Sequence, residues 1–513
     1  MSATTTTTTP TTMDPQPDGR DHRRIAEAAL LGVAGLGFVL LSRYHFGHTC
    51  DDAFIAFRYA EHLVAGLGPV WNPGERVEGF SSPLWLGLLV VGKMAGAGLA
   101  GWAGALGVGF ALLCMVFVHR FALALSGNRL AAAAACVAAS LLYPLHYWAA
   151  AGLETALFTA LLTAAAWSLA AGPGWPWAVV AAFLGVTRPE GPLLACAMIG
   201  LAGVVHGWRA LRPGQLVFAL APFVAWLAFR RAYYGEWLPN TYYAKATGSI
   251  GDRMTAGAIY SFPGLLALAV TFAVMGWGGI RQRRALAAAG LAGLVLATAI
   301  GAGGDWMWHG RMLGPMLPIL VALAACGVAA APARRRLVLL LALGLGWPTF
   351  LTRPEHLARA AALGHLSPLR YQEGTLVPTS FAAAAFIAQS YPPDALLAVN
   401  HAGALPYALP NPVIDMAGLN DRHIAHEIQG GLHQKFDAAY VLSRRPRLLV
   451  LNSRTRPGTA GMWYHPGYWE GETALFAQPE FRARYRPVPR FWEWQWQPPA
   501  QGGFILLFER IPE

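Results

Sequence analysis

Charged side chains stand beside apolar runs at five places in the chain, and the first of these places holds two adjacent carboxylates. Asp51 and Asp52 follow shortly after the apolar run Ile25–Leu41. Burial at a membrane surface and mutual repulsion would raise the pKa of at least one of them. A carboxylate held there could act as a general base toward a hydroxyl group. Alternatively, the pair caps the apolar, helix-like segment that follows, because aspartate is favoured at a helix N-cap.

The loop that this pair opens carries two further charges of interest. Arg58 lies about two turns along the helix-like segment, where its guanidinium could bind a phosphate or pair with an aspartate. Glu78 lies in a stretch rich in proline and glycine, where a solvated surface charge is the plainer explanation. Glu78 is a candidate only because it lies within this series of charged motifs.

The second and third places carry acidic and basic groups between apolar stretches. Glu154 lies in AAGLETALF at a predicted membrane boundary, where an acid is costly unless it is paired or solvated. It could also cap the next helix. Arg188 and Glu190 lie in GVTRPEGPLL, and an ionisable pair at this depth is a functional-site hypothesis. The competing interpretation is a structural pair that fixes a broken helix.

The fourth and fifth places combine charges with aromatic residues. Asn240, Tyr242 and Lys245 lie in YYGEWLPNTYYAKATG, where tyrosines could simply be residues of an interfacial belt. The Lys245 ammonium is a suitable counter-charge for a lipid phosphate. Asp305 and Arg311 bracket a turn rich in glycine and tryptophan in GAGGDWMWHGRMLGPMLP. An acid beside tryptophans favours a surface that faces a sugar.

The composition places these motifs in a membrane protein. Of the 513 residues, 55% are hydrophobic and 13% are charged, against about 25% charged in soluble domains. Apolar runs recur through the first 350 positions and are long enough to cross a hydrocarbon layer of about 30 Å. The net charge of +11 comes from arginine clusters between these runs. Such clusters set the orientation of membrane helices, so the positive charge does not indicate a nucleic-acid binder. The five cysteines show no disulfide or metal-ligand spacing.

Placing the arginine clusters in the cytoplasm gives the predicted topology. We predict a polytopic α-helical membrane protein with about eleven spans, the N-terminus inside and the C-terminus outside. The spans are 25–43, 100–118, 130–145, 153–170, 176–187, 191–205, 214–232, 258–278, 285–301, 312–331 and 335–351. A further full span at 82–99 would make the number of spans even, which does not fit an N-terminus inside and a C-terminus outside. We therefore expect this segment to lie along the interface or to enter only partway. The stretches flanking Arg188 are also too short for full spans.

Three domains follow from this topology. Residues 1–24 form a disordered cytoplasmic N-terminus, residues 25–351 a transmembrane domain whose catalytic first outer loop is 44–81, and residues 352–513 an extracytoplasmic α/β domain. The last of these contains apolar runs of strand length and one Ala-rich helix. These elements are Leu396–Val399, Leu448–Leu451, Phe504–Phe508 and the helix Thr379–Gln389. All five polar motifs fall on the outer side, whereas a transporter should place polar groups near the midplane and on both sides.

The ordered series of motifs resembles a known family. DDAFIAFRYAEHLVAGLGPVWNPGERVEGFSSPLW, followed by GLET, TRPEG, YYGEWLPNTYYAK and GGDWMWHGR, is similar to the family of the mycobacterial terminal β-(1→2)-arabinofuranosyltransferase. That family belongs to the GT-C class of polyprenyl-phosphate-sugar glycosyltransferases. NHAGALPYALPNPVIDMAGLNDRHIA resembles the family's strand-and-loop segment. The resemblance covers roughly 45–320 and 395–430.

The resemblance implies a GT-C-like fold that holds the donor's sugar phosphate at the outer membrane surface. Asp51 and Asp52 match the family's acidic pair, one of which would contact the acceptor hydroxyl or the donor sugar. The residues expected on the donor phosphate and sugar are Arg58, Glu154, Arg188, Glu190, Asn240, Tyr242, Lys245, Asp305 and Arg311. The residues expected on the acceptor side are Glu78, His401, Asp415, Asn420 and Asp421. The identity of the sugar does not transfer with the fold.

The expected function is transfer of a sugar, with arabinofuranose among the candidates, from a polyprenyl-phosphate donor to a cell-envelope glycan or glycolipid. It would take place at the outer face of the cytoplasmic membrane, with membrane lipids as further partners. No Gly-rich phosphate loop is present, and no motif requires a cofactor, although the acidic residues could hold a divalent cation. One alternative is a lipid or sugar-lipid transporter, which should tolerate Asp51→Asn and Asp52→Asn. A second is a non-enzymatic scaffold linked to motility or envelope assembly, which should depend on the region after Leu351.

Overall fold

The structure of the chain is a computed structural model. It describes residues 19–45, 49–245, 249–305, 307, 309–346, 376–428, 435–454, 456, 469–496 and 501–512. Most of the predicted N-terminal tail, the tryptophans of the fifth motif at 306 and 308, and the first part of the predicted external domain at 352–375 lie outside these residues.

Fifteen helices make up the first two-thirds of the described chain. They are α1 (Gly19–His45), α2 (Ala53–Val64), α3 (Pro83–Met94), α4 (Leu99–Ser126), α5 (Arg129–Ser140), α6 (Tyr143–Ala150), α7 (Thr155–Ala171), α8 (Trp175–Leu184), α9 (Gly191–His206), α10 (Pro213–Tyr233), α11 (Asn240–Lys245), α12 (Ile250–Gly278), α13 (Arg283–Ala302), α14 (Leu317–Ala330) and α15 (Ala333–Gly346). Short 3₁₀ turns occupy Trp208–Ala210 and Gly314–Met316. The first helix begins at Gly19, six residues before the first predicted span.

Five of the described helices are long and apolar enough to cross a membrane: His22–Arg43 within α1, and α4, α10, α12 and α13. The chain is therefore a multi-pass membrane protein. The helices that flank the third motif are shorter, and α8 has 10 residues, or about 15 Å. Helix α3 has 12 residues, about 18 Å, which is also shorter than a full span. The expected interfacial or partial insertion of 82–99 stays a prediction. The predicted span 130–145 is divided between α5 and α6. The count of eleven spans stays a prediction.

Close packing of backbones holds the apolar helices together. A Cβ atom at Gly257 of α12 would overlap the carbonyl of Ile300 in α13, and one at Gly278 would overlap Gly327 of α14. Small residues allow such approach in a membrane, where helix association depends on van der Waals contact rather than on the exclusion of water. The buried cluster at the centre of this bundle is built mainly of alanine and leucine side chains.

The C-terminal part of the chain is an α/β unit with one five-stranded sheet. Its strands are β1 (Leu397–Val399), β2 (Val413–Asp415), β3 (Leu448–Ser453), β4 (Tyr485–Trp496) and β5 (Gln501–Arg510), in the order β2-β1-β3-β5-β4. Strand β1 pairs in parallel with β2 and β3, whereas β5 is antiparallel to both β3 and β4. The helices of this unit are Leu376–Ser390, Ala404–Tyr407, Arg422–Glu427, Ala438–Ser443, Glu470–Ala477 and Pro479–Arg484.

The three predicted strands and the predicted helix of this region are confirmed. Sequence reasoning missed β2, which has only three residues, and β4, which contains Pro487 and Pro489. Proline cannot donate to a strand ladder and is confined to edge strands, which is where β4 lies. Neither strand therefore carries the apolar pattern that marks the central ones.

Side chains alternate across the sheet and give it two apolar faces. Leu397 and Val399 belong to the same buried cluster as Phe54 and Phe57 of α2, a cluster shared with the transmembrane part. Ala398 belongs instead to the cluster under the outer helices of the unit. The sheet therefore uses one face to attach to the helical bundle.

Arg58 joins the two parts of the chain. Its side chain is 3% exposed, and its Nε donates a 2.9 Å hydrogen bond to the carbonyl of Trp71. Its Nη atoms donate to carbonyls of the α/β unit, at 2.9 Å to Leu409, at 2.9 Å to Asn411, and to Pro406. One guanidinium thus donates to four buried carbonyl groups, and within the described residues only Pro406 of these also accepts from a backbone amide, that of Leu409.

We expect Arg58→Ala to loosen the α/β unit from the membrane helices. Unpaired buried polar groups cost about 1–3 kcal/mol each, so the free energy of unfolding should fall by about 3 kcal/mol or more. Thermal unfolding in detergent should show a lower Tm, and limited proteolysis should release the C-terminal part. The control is Arg76→Ala, which removes an exposed arginine of the same loop. Equal Tm values for the two variants would contradict this structural role.

Candidate active site

Backbone contacts bring the first three polar motifs to one end of the helical bundle. The amide of Cys50, next to the acidic pair, donates a 3.0 Å hydrogen bond to Ala151 in the turn before Glu154. The indole of Trp85 donates to the carbonyl of Gly152 in the same turn, at 3.2 Å. The amide of Leu84 donates to Val186, two residues before Arg188, at 3.0 Å. The loops are therefore fixed against each other before any side chain of the site is considered.

Three carboxylates stand at helix N-caps without capping the helix. Asp52, Glu154 and Glu190 are the N-cap residues of α2, α7 and α9, and none of their side chains accepts a capping hydrogen bond. The alternative that Asp52 or Glu154 serves as a cap is therefore not realised. Glu154 and Glu190 have an arginine as their partner instead.

The Arg188 guanidinium is that partner. Its Nε lies 2.9 Å from Glu190 Oε1 and 3.6 Å from Glu154 Oε1, and its Cζ lies 5.1 Å from the centre of the Phe158 ring. The residue is 6% exposed. Despite these ion-pair distances, Nε and Nη1 make no hydrogen bond with the described residues. Arg188 thus has buried N–H groups that are available to donate hydrogen bonds to an anion.

Asp305 and Arg311 of the fifth motif form a close ion pair. The Nε of Arg311 lies 2.6 Å from Asp305 Oδ2, and Oδ1 of Asp305 accepts a 3.2 Å hydrogen bond from the amide of Met307. Burial alone would raise the pKa of Asp305, but the cations of Arg311 and Lys245 hold it below its usual value. Asp305 therefore stays ionised and fixes Arg311.

Asp52 and Lys245 lie within electrostatic range of each other, and neither has a fixed partner. Neither side chain makes a hydrogen bond or ion pair within the described residues. Burial raises the pKa of the half-buried Asp52 to about 6, an effect that Lys245 opposes and Asp51 reinforces. The Lys245 side chain keeps much of its surface open, yet enough protein surrounds it that lost hydration, and then repulsion from Arg311, lowers the pKa of its ammonium. A base and a cation are thus both available to a ligand.

Asp51 has a different environment from its neighbour. Its Oδ1 accepts a 2.9 Å hydrogen bond from the amide of Ala404 in the α/β unit. Burial raises the pKa of Asp51 to about 6, and the amides of Ala404 and Gly403 partly offset that rise. A Cβ atom at Gly403 would overlap the Asp51 carboxylate, so only glycine allows this approach. The α/β unit therefore holds Asp51, while Asp52 is left open.

We call this group of ionisable side chains the charged centre. It consists of Asp51, Asp52, Glu154, Arg188, Glu190, Lys245, Asp305 and Arg311. Asp52, Lys245 and Arg311 lie within electrostatic range of one another. Three cations beside an unpartnered carboxylate can hold an anionic leaving group and deprotonate a hydroxyl. Eight of the sequence-predicted residues are therefore brought together.

Four other residues predicted on the donor or acceptor side make contacts elsewhere. Arg58 joins the two parts of the chain as described above. Glu78 is 2% exposed and forms a bidentate pair with Arg230, with distances of 2.5 Å and 3.1 Å. Asn240 donates to the carbonyls of Gly418 and Leu419 at 2.9 Å and 3.0 Å. Tyr242 is 45% exposed. The predicted roles of these side chains stay predictions.

The remaining residues predicted on the acceptor side lie in the α/β unit. Asp415 is fully buried and accepts hydrogen bonds from the amide and the side chain of Asn420, at 2.8 Å and 3.0 Å. Burial raises the pKa of Asp415 to about 7, and those bonds oppose the rise. Asp421 caps the helix Arg422–Glu427 through the amide of Ile424 at 3.0 Å. These contacts shape the loop after β2. His401, after β1, makes no hydrogen bond with the described residues.

Sequence reasoning missed the partners that the α/β unit and the helices supply. Gly403 lies in the quoted NHAGALPYALP segment, but a glycine carries no chemical signal of its own. Asn72 exchanges two hydrogen bonds with the backbone of Val413, at 2.8 Å and 3.1 Å. Arg230 lies near the end of an apolar helix, where it reads as a topogenic charge. Only the spatial neighbours show what these residues do.

The described residues contain no group of three or more histidine, cysteine, aspartate or glutamate side chains arranged to hold a metal ion. The carboxylates of the charged centre alternate instead with arginine and lysine. The cationic side chains of the charged centre are Arg188, Lys245 and Arg311.

Comparison with known sequences gives partial matches. A domain of unknown function, DUF8728, matches residues 368–505. The terminal β-(1→2)-arabinofuranosyltransferase of Mycobacterium tuberculosis is 34% identical over 234 residues, which cover 41% of this chain and 36% of that protein. The match thus spans little more than a third of the length of this curated relative.

Comparison with solved structures covers almost the whole chain. The apo structure of ArnT from Cupriavidus metallidurans matches with a TM-score of 0.55 at 17% identity, over 95% of this chain and 98% of that one. The same protein bound to undecaprenyl phosphate gives 0.53 at 16% identity, over 93% and 97%. The apo oligosaccharyltransferase of Archaeoglobus fulgidus gives 0.53 at 12% identity, over 93% and 74%. At these identities the likeness shows the fold. The chain therefore has the GT-C fold of these membrane proteins, and the resemblance of its motifs to GT-C glycosyltransferases is confirmed.

Proposed function

We propose that this chain is a glycosyltransferase that moves a sugar from a polyprenyl-phosphate donor to a hydroxyl of a cell-envelope glycan or glycolipid. The observation that carries the proposal is the open side of the charged centre. There the unpartnered carboxylate of Asp52 lies within electrostatic range of Lys245 and Arg311, and Arg188 of the same centre has unused N–H donors. The sequence relative that is named an arabinofuranosyltransferase supports this activity and makes arabinofuranose a candidate sugar.

The proposed step follows from the charges. The acceptor oxygen forms a bond to the anomeric carbon while its proton passes to Asp52. The bond from that carbon to the phosphate oxygen breaks, and its electron pair leaves with the polyprenyl phosphate. Lys245, Arg311 and Arg188 stabilise the negative charge that develops on the leaving group. Asp305 and Glu154 keep these cations in place through ion pairs, at 2.6 Å to Arg311 and 3.6 Å to Arg188.

The membrane placement belongs to the same proposal. We infer that the chain lies in the cytoplasmic membrane with about eleven spans and its N-terminus in the cytoplasm. The charged centre and the α/β unit, which contact each other through Asp51 and Ala404, then both lie outside. The arginine clusters between the helices support this orientation. The lipid tail of the donor would lie among the apolar helices. A polyprenyl-phosphate ligand fits this proposal because the structural relative ArnT has been solved bound to undecaprenyl phosphate.

The test is release of polyprenyl phosphate by the purified chain from a panel of polyprenyl-phosphate sugars, with candidate acceptor glycans supplied. We expect release with one donor. Asp52→Asn should lower kcat by about 10²- to 10⁴-fold, because the general base is lost. Asp51→Asn should lower it by only about tenfold, because its amide oxygen can still accept from Ala404.

Thermal unfolding in detergent shows whether each variant is folded. Equal and full activity of both asparagine variants would refute catalysis at the acidic pair. An absence of release from every donor by the folded wild-type protein would refute the proposed reaction itself.

The rate should also depend on pH with a defined sign. The pKa of Asp52 is raised to about 6 by burial, and only the ionised form can take up a proton. We therefore expect kcat/KM to be high above pH 7 and to fall by about tenfold per pH unit well below 6. The donor is a phosphate diester and stays ionised throughout this range. Initial rates from pH 4.5 to 8 measure the profile, and it should persist in Asp51→Asn. A flat profile would argue against a carboxylate base.

Gly403→Ala tests whether the α/β unit positions the acidic pair. The added methyl group would overlap the Asp51 carboxylate, and displacement by about 1 Å can cost about 10²-fold in rate. We expect kcat to fall while the Kd for polyprenyl phosphate stays unchanged. Gly98→Ala is the matched control, because nothing lies within 4 Å of a Cβ atom there. Equal kcat values for the two variants would show that Gly403 has no such role.

A further inference from the structure

Helix α11 carries Lys245 of the charged centre and lies against the α/β unit. The helix has six residues, and a helix of this length is not stable by itself in water. At its first residue, the side-chain amide of Asn240 donates to the carbonyls of Gly418 and Leu419, at 2.9 Å and 3.0 Å. Lys245 is its last residue. The position of Lys245 therefore depends on how the α/β unit holds α11.

Lys435 of the α/β unit joins α11 to the helix Arg422–Glu427. Its ammonium donates a 2.8 Å hydrogen bond to the carbonyl of Tyr243 in α11 and a 2.5 Å hydrogen bond to the carbonyl of Ala425 in the other helix. Both carbonyls lie among the last four of their helix, where the helix itself supplies no amide donor. Lys435 is 2% exposed, so its charge is largely removed from water. The rings of Tyr243 and His426, with centroids 4.1 Å apart, add a second contact between the same two helices.

The side chain of Lys245 has no contact of its own that fixes it. It makes no hydrogen bond or ion pair with the described residues, so the backbone of α11 sets its position. Tyr243, whose carbonyl accepts from Lys435, lies only two residues earlier. The charges that act on Asp52 are those of Asp51, Asp305, Lys245 and Arg311. Only Lys245 of these four lies on α11, so a shift of this helix would change the field at Asp52 through one cation.

We propose that Lys435 is a positioning residue of the transferase, because its ammonium fixes α11 on the α/β unit and thereby sets the distance between Lys245 and Asp52. The inference rests on the proposed function and adds a residue outside the charged centre on which that centre depends. Lys435 acts through the backbone, because both of its hydrogen bonds go to main-chain carbonyls. The α/β unit then positions two members of the centre, Asp51 through Ala404 and Lys245 through Lys435.

Calorimetric titration of the full chain in detergent with polyprenyl phosphate tests this role. Lys435→Met should raise the Kd by about tenfold, because the charge-assisted hydrogen bond from Lys245 to the phosphate is weakened. The control is Arg482→Met, which removes a cation that bonds to a carbonyl within the α/β unit itself, that of Phe476 at 3.1 Å. It should leave the Kd unchanged. An unchanged Kd in a folded Lys435→Met variant would overturn the inference.

A double-mutant cycle separates positioning from a general loss of stability. In a chain that already carries Lys245→Met, Lys435→Met should weaken binding no further, because the cation through which it acts is gone. Independent, multiplying effects of the two substitutions would show that Lys435 does not act through Lys245.

The pH profile of kcat/KM gives a readout that lower stability alone would not move. Lys245 opposes the rise in the pKa of Asp52, so displacement of Lys245 lets that pKa rise further. The acid limb of the profile should therefore shift to higher pH in Lys435→Met, by about half a unit, and should stay in place in Arg482→Met. An unshifted limb in Lys435→Met would contradict the inference.

Thermal unfolding shows whether Lys435→Met is folded. If it is not, Lys435→Gln takes its place, because its side chain keeps two N–H donors but is too short to hold both carbonyls at their present distances. The same Kd and the same acid limb then decide, with the same expected directions.

Release of polyprenyl phosphate from a sugar donor, measured on the same preparations, separates this inference from the proposed function. If release depends on Asp52 while Lys435→Met keeps the wild-type Kd and acid limb, the positioning role alone is wrong. If no donor is cleaved but Lys435→Met weakens binding through Lys245, the proposed transferase is wrong and the role of Lys435 in phosphate binding stands. If the folded wild-type chain binds no polyprenyl phosphate, both are wrong.

Discussion

The rest of this structure depends on one constraint, the free-energy cost of removing charged side chains from water. Arg188 and Asp305 are almost completely buried, so each needs an opposite charge at a fixed distance. For Asp305 the opposite charge is Arg311. For Arg188 it comes from two helix beginnings, because Glu154 and Glu190 are the N-cap residues of α7 and α9 and their side chains make no capping hydrogen bond. The backbone bonds between neighbouring loops then fix these helix starts against each other. The result is a polar group stable enough to persist at the end of an apolar bundle, with Asp52 as its open member.

The α/β unit is part of this arrangement rather than an attachment to it. It contributes the backbone that meets Asp51, and it is tied down by Arg58 at one side and by Asn72 and Asn240 at others. In each of these contacts a side chain is hydrogen-bonded to backbone atoms. The contacts therefore fix the position of the α/β unit's backbone relative to the helices. Because the two adjacent carboxylates share one turn, holding Asp51 also fixes where Asp52 points. In the proposed reaction, Asp51 is therefore the positioned aspartate and Asp52 the reacting one.

Much of this organisation could be predicted from the sequence, for reasons that differ between residues. The apolar runs and arginine clusters gave the membrane class, and short apolar runs gave β1, β3 and β5, because burial on both faces leaves a continuous pattern. The charged centre could be anticipated because ionisable residues beside apolar runs are rare without a purpose. Arg58 and Glu78 could not be assigned, since a charge that satisfies buried carbonyls or another charge looks the same in sequence as one that binds a ligand. The approach of Gly403 to Asp51 depends on residues 352 positions apart and has no local signal.

The central claim is that the charged centre binds the phosphate of a polyprenyl lipid beside a free Asp52. A structure of the chain determined by electron cryomicroscopy in lipid nanodiscs with saturating polyprenyl phosphate tests it most directly. The account predicts phosphate density within hydrogen-bonding distance of Lys245 and Arg311, with the N–H groups of Arg188 turned toward it and the Asp52 carboxylate open to the opposite side. Phosphate density at any other position, or an empty charged centre at saturating lipid, would contradict the account.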